Sequence, residues 1–389
     1  MRLQPPVLLI TLLCLLLSTG ASAGDYYPPP GHWQRQAPEQ LGFDPARLAA
    51  AVAGARDRGV VEPRELSEAL QESYRKEPGY RILGPTGRRE APAGLVIRHG
   101  RIAAEWGDPE RVEMTFSVVK SFLSTVAGLA WQAGRVPDLD EPVGRRVRSG
   151  QFESAHNRPI SWRHLLNQTS DWQGVLWGIE DWADRPVGDD PQQWANRELH
   201  APGSHFKYND VRVNLLAYAL LQVWRKPLPV VLREQVMDPI GASVTWRWEG
   251  YENSWVVLDG QHMQSVSGGG HFGGGLFISS LDLARFGLLM LRNGRWGETQ
   301  LVPEAWLRMA REPTPVKPAY GFMWWLNTGR QSIPAAPESA YYAAGYGGNY
   351  VYIDPDNDLL VVLRWTPALA DVITDILAAL DDATGAAES

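Results

Sequence analysis

Cysteine is nearly absent from this chain: Cys14 is the only one in 389 residues. Beyond it the sequence offers no disulfide, no cysteine nucleophile and no thiolate metal site. Positive charge is not in excess either. Thirty-seven Lys and Arg face 44 Asp and Glu, a net charge of -7. Nothing here suggests the clustered basic face of a nucleic-acid binder, so no nucleic-acid partner is expected. There is no His-Glu-x-x-His, which removes a zincin. Beyond the first 24 residues there is no Gly-x-Ser-x-Gly, which counts against an α/β-hydrolase elbow. Gly268-x-Gly270-x-x-Gly273 formally fits the dinucleotide fingerprint. It lacks a preceding Val/Ile-rich strand and a βαβ setting, so it is set aside. The 8 histidines are scattered, with His271 beside the glycine run as the one placed to line a cleft. No cofactor and no metal is expected.

Long apolar runs are also scarce. One, Val7 to Leu17, follows Arg2 and precedes the small residues Ala21-Ser22-Ala23. It is too short to span a bilayer and reads as the core of a signal peptide over residues 1–23. The expectation is a periplasmic or secreted protein with no stable membrane insertion after cleavage.

What is present is an ordinary globular composition, 44% hydrophobic and 21% charged, long enough for a large core. Asp44-Pro45 reads as an N-cap followed by proline at the first helical position. Gly94 to Trp106 reads as two strands meeting at His99-Gly100. A helix from about Ser117 to Trp131 follows, with Val118, Phe122, Val126 and Leu129 at helical spacing. Residues 160–240 read as mainly helical. Strand signals return at Gly275–Ile278, Phe322–Leu326, Tyr350–Ile353 and Leu359–Leu363, and a last helix runs from about Ala368 to Ala383. Residues 62–90 give no clear pattern. The order is that of an α+β protein, an antiparallel sheet flanked by helices with a large helical insert. Residues 24–115 and 275–389 form the sheet region, residues 116–274 the helical region, and both belong to one catalytic domain.

Three elements carry chemistry. Ser117-Val118-Val119-Lys120 places a hydroxyl and an amine on one helical face, next to backbone N–H groups suited to developing negative charge. Ser73-x-x-Lys76 and Ser204-x-x-Lys207 match the same spacing. Only Ser117 opens an apolar helix after a two-stranded unit. The second element is Tyr208-Asn209-Asp210 at a loop-to-helix junction, where a phenol near Lys120 can relay protons. The third is Gly345-Tyr346-Gly347-Gly348-Asn349, whose glycines let a strand edge approach a ligand and aim an N–H at an oxyanion. Seventeen tryptophans are unusual. Trp172, Trp177, Trp182 and Trp194 crowd the insert, as packing or as an aromatic wall around the substrate.

Together these residues resemble the superfamily of class C β-lactamases, penicillin-binding proteins (DD-peptidases) and esterases, from about Gly94 to Leu363. Ser117-x-x-Lys120 resembles its nucleophile motif and Leu165-Leu166-Asn167-Gln168-Thr169-Ser170 its "LLxHTSG" segment. Tyr208-Asn209-Asp210 falls where the family carries Tyr-x-Asn. Gly273 to Phe286 is similar to its glycine-led strand and helix. Gly345-Tyr346-Gly347-Gly348 lies where it carries Lys-Thr-Gly or His-x-Gly. The stretch from Tyr350 to Leu363 is especially similar to 6-aminohexanoate-dimer hydrolases and related esterases. The resemblance implies a β-lactamase/transpeptidase-like fold and acyl transfer on a small-molecule or peptide-like ester or amide. It implies Ser117 as nucleophile, and Lys120 and Tyr208 sharing the proton work. It implies backbone N–H groups of Ser117 and Asn349 as the oxyanion site, with Gly347, Gly348, Tyr346 and Asp210 around the substrate. Two residues depart from the family. Tyr346 replaces a cationic or imidazole side chain, which weakens the case for β-lactam turnover. Asp210 replaces Asn, and an ionised Asp can pair with Lys120 or receive a substrate amine. The rival readings are a penicillin-binding or peptidoglycan-sensing module with little turnover, and a catalytically silent scaffold.

Overall fold

In the computed structural model, residues 25–61, 63–188 and 190–381 are described. The expected signal peptide lies outside them. Asp44 accepts a hydrogen bond from the Arg47 N–H and caps helix α1 (Pro45–Asp57), as its Asp-Pro start predicts. Residues 62–90, which give no clear sequence pattern, contain a short helix α2 (Leu66–Tyr74), buried through Leu66, Ala69 and Leu70. Strands β1 (Ala93–Arg98) and β2 (Arg101–Trp106) follow and pair with each other. A short β3 (Glu113–Met114) leads into a 3-10 turn, Phe116–Val118, and then helix α3 (Val119–Gln132). Ser117 therefore sits in a tight turn just ahead of the helix expected to begin with it.

The region expected to be helical holds helix α4 (Asp210–Trp224), but also the long strands β4 (Arg247–Leu258) and β5 (Gln261–Val266). Next come β6 (Gly275–Ile278) and helix α5 (Ser280–Leu291). The predicted strand at 322–326 is reduced to β7 (Trp325–Leu326). Met323 takes φ +62° and the Gly321 N–H folds back to the Trp324 carbonyl, which breaks the extended run. Strands β8 (Tyr341–Gly345), β9 (Asn349–Asp354), β10 (Leu359–Arg364) and helix α6 (Leu369–Ala378) follow.

The main sheet runs β7-β8-β9-β10-β1-β2, antiparallel throughout, and a second sheet runs β3-β6-β4-β5. The apolar run of β10 explains its central place, because successive side chains point to opposite faces and both faces are covered. Leu360 and Val362 join Leu95, Ile97, Val351 and Phe286 of α5 in the large core. Leu359, Val361 and Leu363 face the other way and pack with Leu48, Val372 and Ile373 of the terminal helices α1 and α6. This is an α+β fold, a helix-covered antiparallel sheet with α3 and α4 inserted beside it.

Candidate active site

Ser117 is placed by its neighbours in the turn. Phe116 is held at φ +51°, a left-handed conformation that costs a non-glycine residue on the order of 1 kcal/mol or more. Its ring is anchored between Tyr346 at 5.0 Å and Trp365 at 6.2 Å. One turn along, the Lys120 ammonium donates to Ser117 Oγ at 2.8 Å and to Asp210 Oδ1 at 2.6 Å. Both charged side chains are buried, 2% and 1% exposed.

The ion pair fixes the charge states. Burial opposes the Lys120 charge most strongly. The Asp210 carboxylate, Tyr208 and the hydrogen bond to Asp210 outweigh it, so the ammonium is held above its ordinary value. Burial likewise disfavours the Asp210 carboxylate. Lys120, Arg185 and His271 overcome that and hold it well below the usual carboxylate range. Asp210 Oδ2 also accepts the His271 backbone N–H at 3.0 Å. Asp210 stands at the start of α4, where an anion suits the helix dipole, and Asn209 caps that helix by accepting the Arg212 N–H.

Tyr208 lies against this pair, its ring centroid 4.7 Å from Lys120 Nζ. Trp325 stacks on it at 5.8 Å, and Tyr320 meets it edge-on at 6.3 Å. Gln168 ties the loop down, accepting the Asn209 N–H and donating to the Tyr320 hydroxyl, both at 2.8 Å. The motif segment Leu165–Ser170 thus acts through the phenol's neighbours.

These groups open on a cleft of 540 Å³ lined by Ser117, Tyr208, Arg185, Tyr74, Gly345 and Tyr346, among others. The third motif is brought there only in part. Gly345 abuts the Ser117 turn so closely that a Cβ on it would lie 2.1 Å from the Thr115 carbonyl oxygen and 3.2 Å from the Ser117 nitrogen. Tyr346 reaches Ser73 through its hydroxyl at 2.8 Å, which places the second Ser-x-x-Lys serine at the cleft rim as a support. Gly347, Gly348 and Asn349 do not line the cleft. Asn349 pairs with Gly345 across the β8–β9 hairpin, fully buried, and its amide holds the Tyr346 carbonyl at 2.7 Å. The backbone beside Ser117 is that of Gly345 and Tyr346. The four crowded tryptophans are elsewhere: Trp172 is core, Trp177 packs on Tyr218, and Trp182 and Trp194 stack over a separate pocket.

His271, expected at the cleft, is buried instead and does not line it. It gathers behind the ion pair with Glu77 and Asp184, which carry no sequence signal, the three offering potential ligand atoms within 4.8 Å of one another. They already serve each other. His271 Nε2 and Glu77 are hydrogen-bonded at 2.6 Å, and Asp184 takes Arg185 at 2.5 Å and the Asp210 backbone N–H. Arg185 comes from a loop of the insert and reaches over the Tyr208 ring, 5.4 Å from its centroid. Neither loop has periodicity that marks it.

Fold and site together define a protein of the serine β-lactamase and transpeptidase architecture. The sequence profile described as Beta-lactamase matches residues 86–367, and the chain belongs to that family. Solved structures agree on the fold. A putative β-lactamase from Bacteroides dorei DSM 17855 is 17% identical with TM-score 0.57, covering 86% of this chain and 99% of its own. EstCE1, titled a hydrolase with promiscuous acyltransferase activity, is 18% identical at TM-score 0.57 and the same coverage, 86% and 99%. A putative 6-aminohexanoate-dimer hydrolase from Bacillus anthracis is 16% identical at TM-score 0.52, covering 91% and 97%. No curated protein matches the chain.

Proposed function

We propose that this protein is a serine hydrolase that cleaves an ester or amide through an acyl-enzyme on Ser117. The observation that carries this is the Lys120 ammonium shared between Ser117 Oγ and Asp210, at 2.8 and 2.6 Å. A charged lysine cannot take the serine proton. It can lower the energy of the developing alkoxide and leave Tyr208 as the proton carrier. Ser117 Oγ attacks the carbonyl carbon and its proton passes to the Tyr208 oxygen as the phenol proton moves to the departing oxygen or nitrogen. The bond to the leaving group breaks and the Ser117 ester remains. Water then repeats the exchange: its oxygen attacks the ester carbon, its proton enters the relay, and Ser117 Oγ recovers a proton on release. The Ser117 N–H and a donor from the Gly345–Tyr346 backbone hold the oxyanion. Tyr346 is neutral where a cation would grip a drug carboxylate, so activated esters are expected to be turned over faster than β-lactams. The apolar run within residues 1–23 supports the further proposal of a periplasmic or secreted location.

The test is p-nitrophenyl butyrate and nitrocefin turnover beside fluorophosphonate labelling. Wild type should hydrolyse the ester and label at Ser117, and Ser117→Ala should lose at least about 10³-fold in kcat and all labelling. Durable labelling by a fluorescent penicillin without ester turnover would replace this reading with a penicillin-binding one. Folded protein that neither labels nor turns over any ester would leave a silent scaffold.

A further inference from the structure

Arg185 is the basic side chain among the described residues lining the cleft. Lys120 cannot serve a ligand, being 2% exposed and engaged by Ser117 and Asp210. Arg185 is different in each respect. Its side chain is 34% exposed. Among the described residues only Nη1 has a hydrogen-bond partner, donating to Asp184 at 2.5 Å and lying 4.0 Å from Asp210. A guanidinium has five N–H donors in a fixed fork, so most of this one is uncommitted. The position is also built to hold it. The Arg185 N–H donates to Glu77 at 3.2 Å, its carbonyl accepts from the Lys207 ammonium, and its backbone is kept at φ +51°. The rings of Tyr208 and Tyr74 flank the guanidinium at 5.4 and 5.7 Å and limit its swing.

The remaining lining differs in character. Ile333 from the loop before β8, Tyr342 and Tyr350 from the sheet, and Leu369 and Ala370 from α6 give a largely apolar wall, with Asp371 exposed at its rim. We infer that the substrate carries a carboxylate that docks on the Arg185 fork and an apolar chain that lies on this wall. A planar fork matches a carboxylate in two parallel hydrogen bonds, which discriminates an acid from its amide. This deepens the hydrolase reading by naming a substrate class, and it rests on that reading only for which bond is cut.

The decisive experiment separates binding from turnover. Calorimetry on Ser117→Ala protein, with glutarate as the probe and glutaramide as the neutral control, needs no catalysis. Glutarate should bind and glutaramide should not. Arg185→Gln in the same background should weaken glutarate at least tenfold, and Arg185→Lys should lose part of that. Thermal melting and circular dichroism confirm that both variants fold. Equal glutarate affinity with and without the guanidinium, or no preference for acid over amide, overturns the inference even if esters are hydrolysed. Kinetics with wild-type protein then locate the acid. Mono-p-nitrophenyl glutarate against p-nitrophenyl valerate tests the acyl side, and 4-carboxyphenyl butyrate against 4-carbamoylphenyl butyrate tests the leaving group. In one pair the acid should have a KM at least tenfold lower, and Arg185→Gln should erase that ratio. Equal KM in both pairs is the contrary result.

Discussion

Asp210 decides how Ser117 is served. As an anion buried against Lys120, it keeps the ammonium protonated, and the proposed scheme therefore gives the proton traffic to Tyr208. Asp210→Asn preserves shape but removes the charge that most favours the lysine cation. Lys120 then holds its proton less firmly, and the alkaline limb of the kcat/KM profile should move to lower pH. A pH–rate series on wild type and variant measures this, and superimposable profiles would remove Asp210 from the scheme. Asp210→Ala should be worse, leaving a buried ammonium without its partner at a cost of about 3–5 kcal/mol, read as a drop in the urea midpoint. The wild-type pair itself has a wide working window. The lowered carboxyl contributes stability above its unfolded value, lost only as pH falls through the lower folded one. The raised ammonium contributes below its unfolded value, lost only as pH climbs past the folded one.

The strand β8 meets the Ser117 turn through Gly345, where the clash of an added Cβ would be with backbone, which cannot swing aside. Gly345→Ala should push the strand from Ser117, lowering kcat about tenfold or more while Ser117 remains reactive to a small fluorophosphonate. Normal ester turnover by a folded Gly345→Ala protein would contradict that placement. Elements of this kind were legible in the sequence where the signal is local. The β1–β2 hairpin, the run of β10, the Asp-Pro start of α1 and the Ser117-x-x-Lys120 spacing each declare themselves within a few residues. Helix α2 did not, because only Leu66, Ala69 and Leu70 are buried in a charged stretch. The Glu77–His271 contact spans 194 residues and the Lys120–Asp210 pair spans 90. Nothing local announces partners so far apart, which is why Arg185, Asp184 and Tyr74 were missed and Asn349 was expected at the cleft. The tie between Tyr346 and Asn349 forms only once the hairpin closes.

Acid should unfold the protein through its paired carboxylates. Asp210 and Asp171 are buried and Asp358 is half-buried, which alone would raise them. Lysine or arginine partners, Lys120 for the first, Arg212 and Arg197 for the second and Arg292 for the third, hold all three below the ordinary value. Their contribution is complete above the unfolded value of about 4 and declines as pH falls through the lower folded values. Urea midpoints should therefore hold steady from pH 7 to about pH 5 and fall steeply below about pH 4. A midpoint that rises on acidification would contradict these pairings. The pairing of β1 with β10 joins Ala93 to Arg364, so the sheet shuts only when both ends of the domain are present. Contacts this distant in sequence make for slow folding. A nascent chain that has emerged only as far as Trp324 already owns its alcohol, its ammonium and its phenol. It has no β8 for them to work against, so under the proposed scheme catalytic competence waits on the synthesis of Tyr341–Gly345.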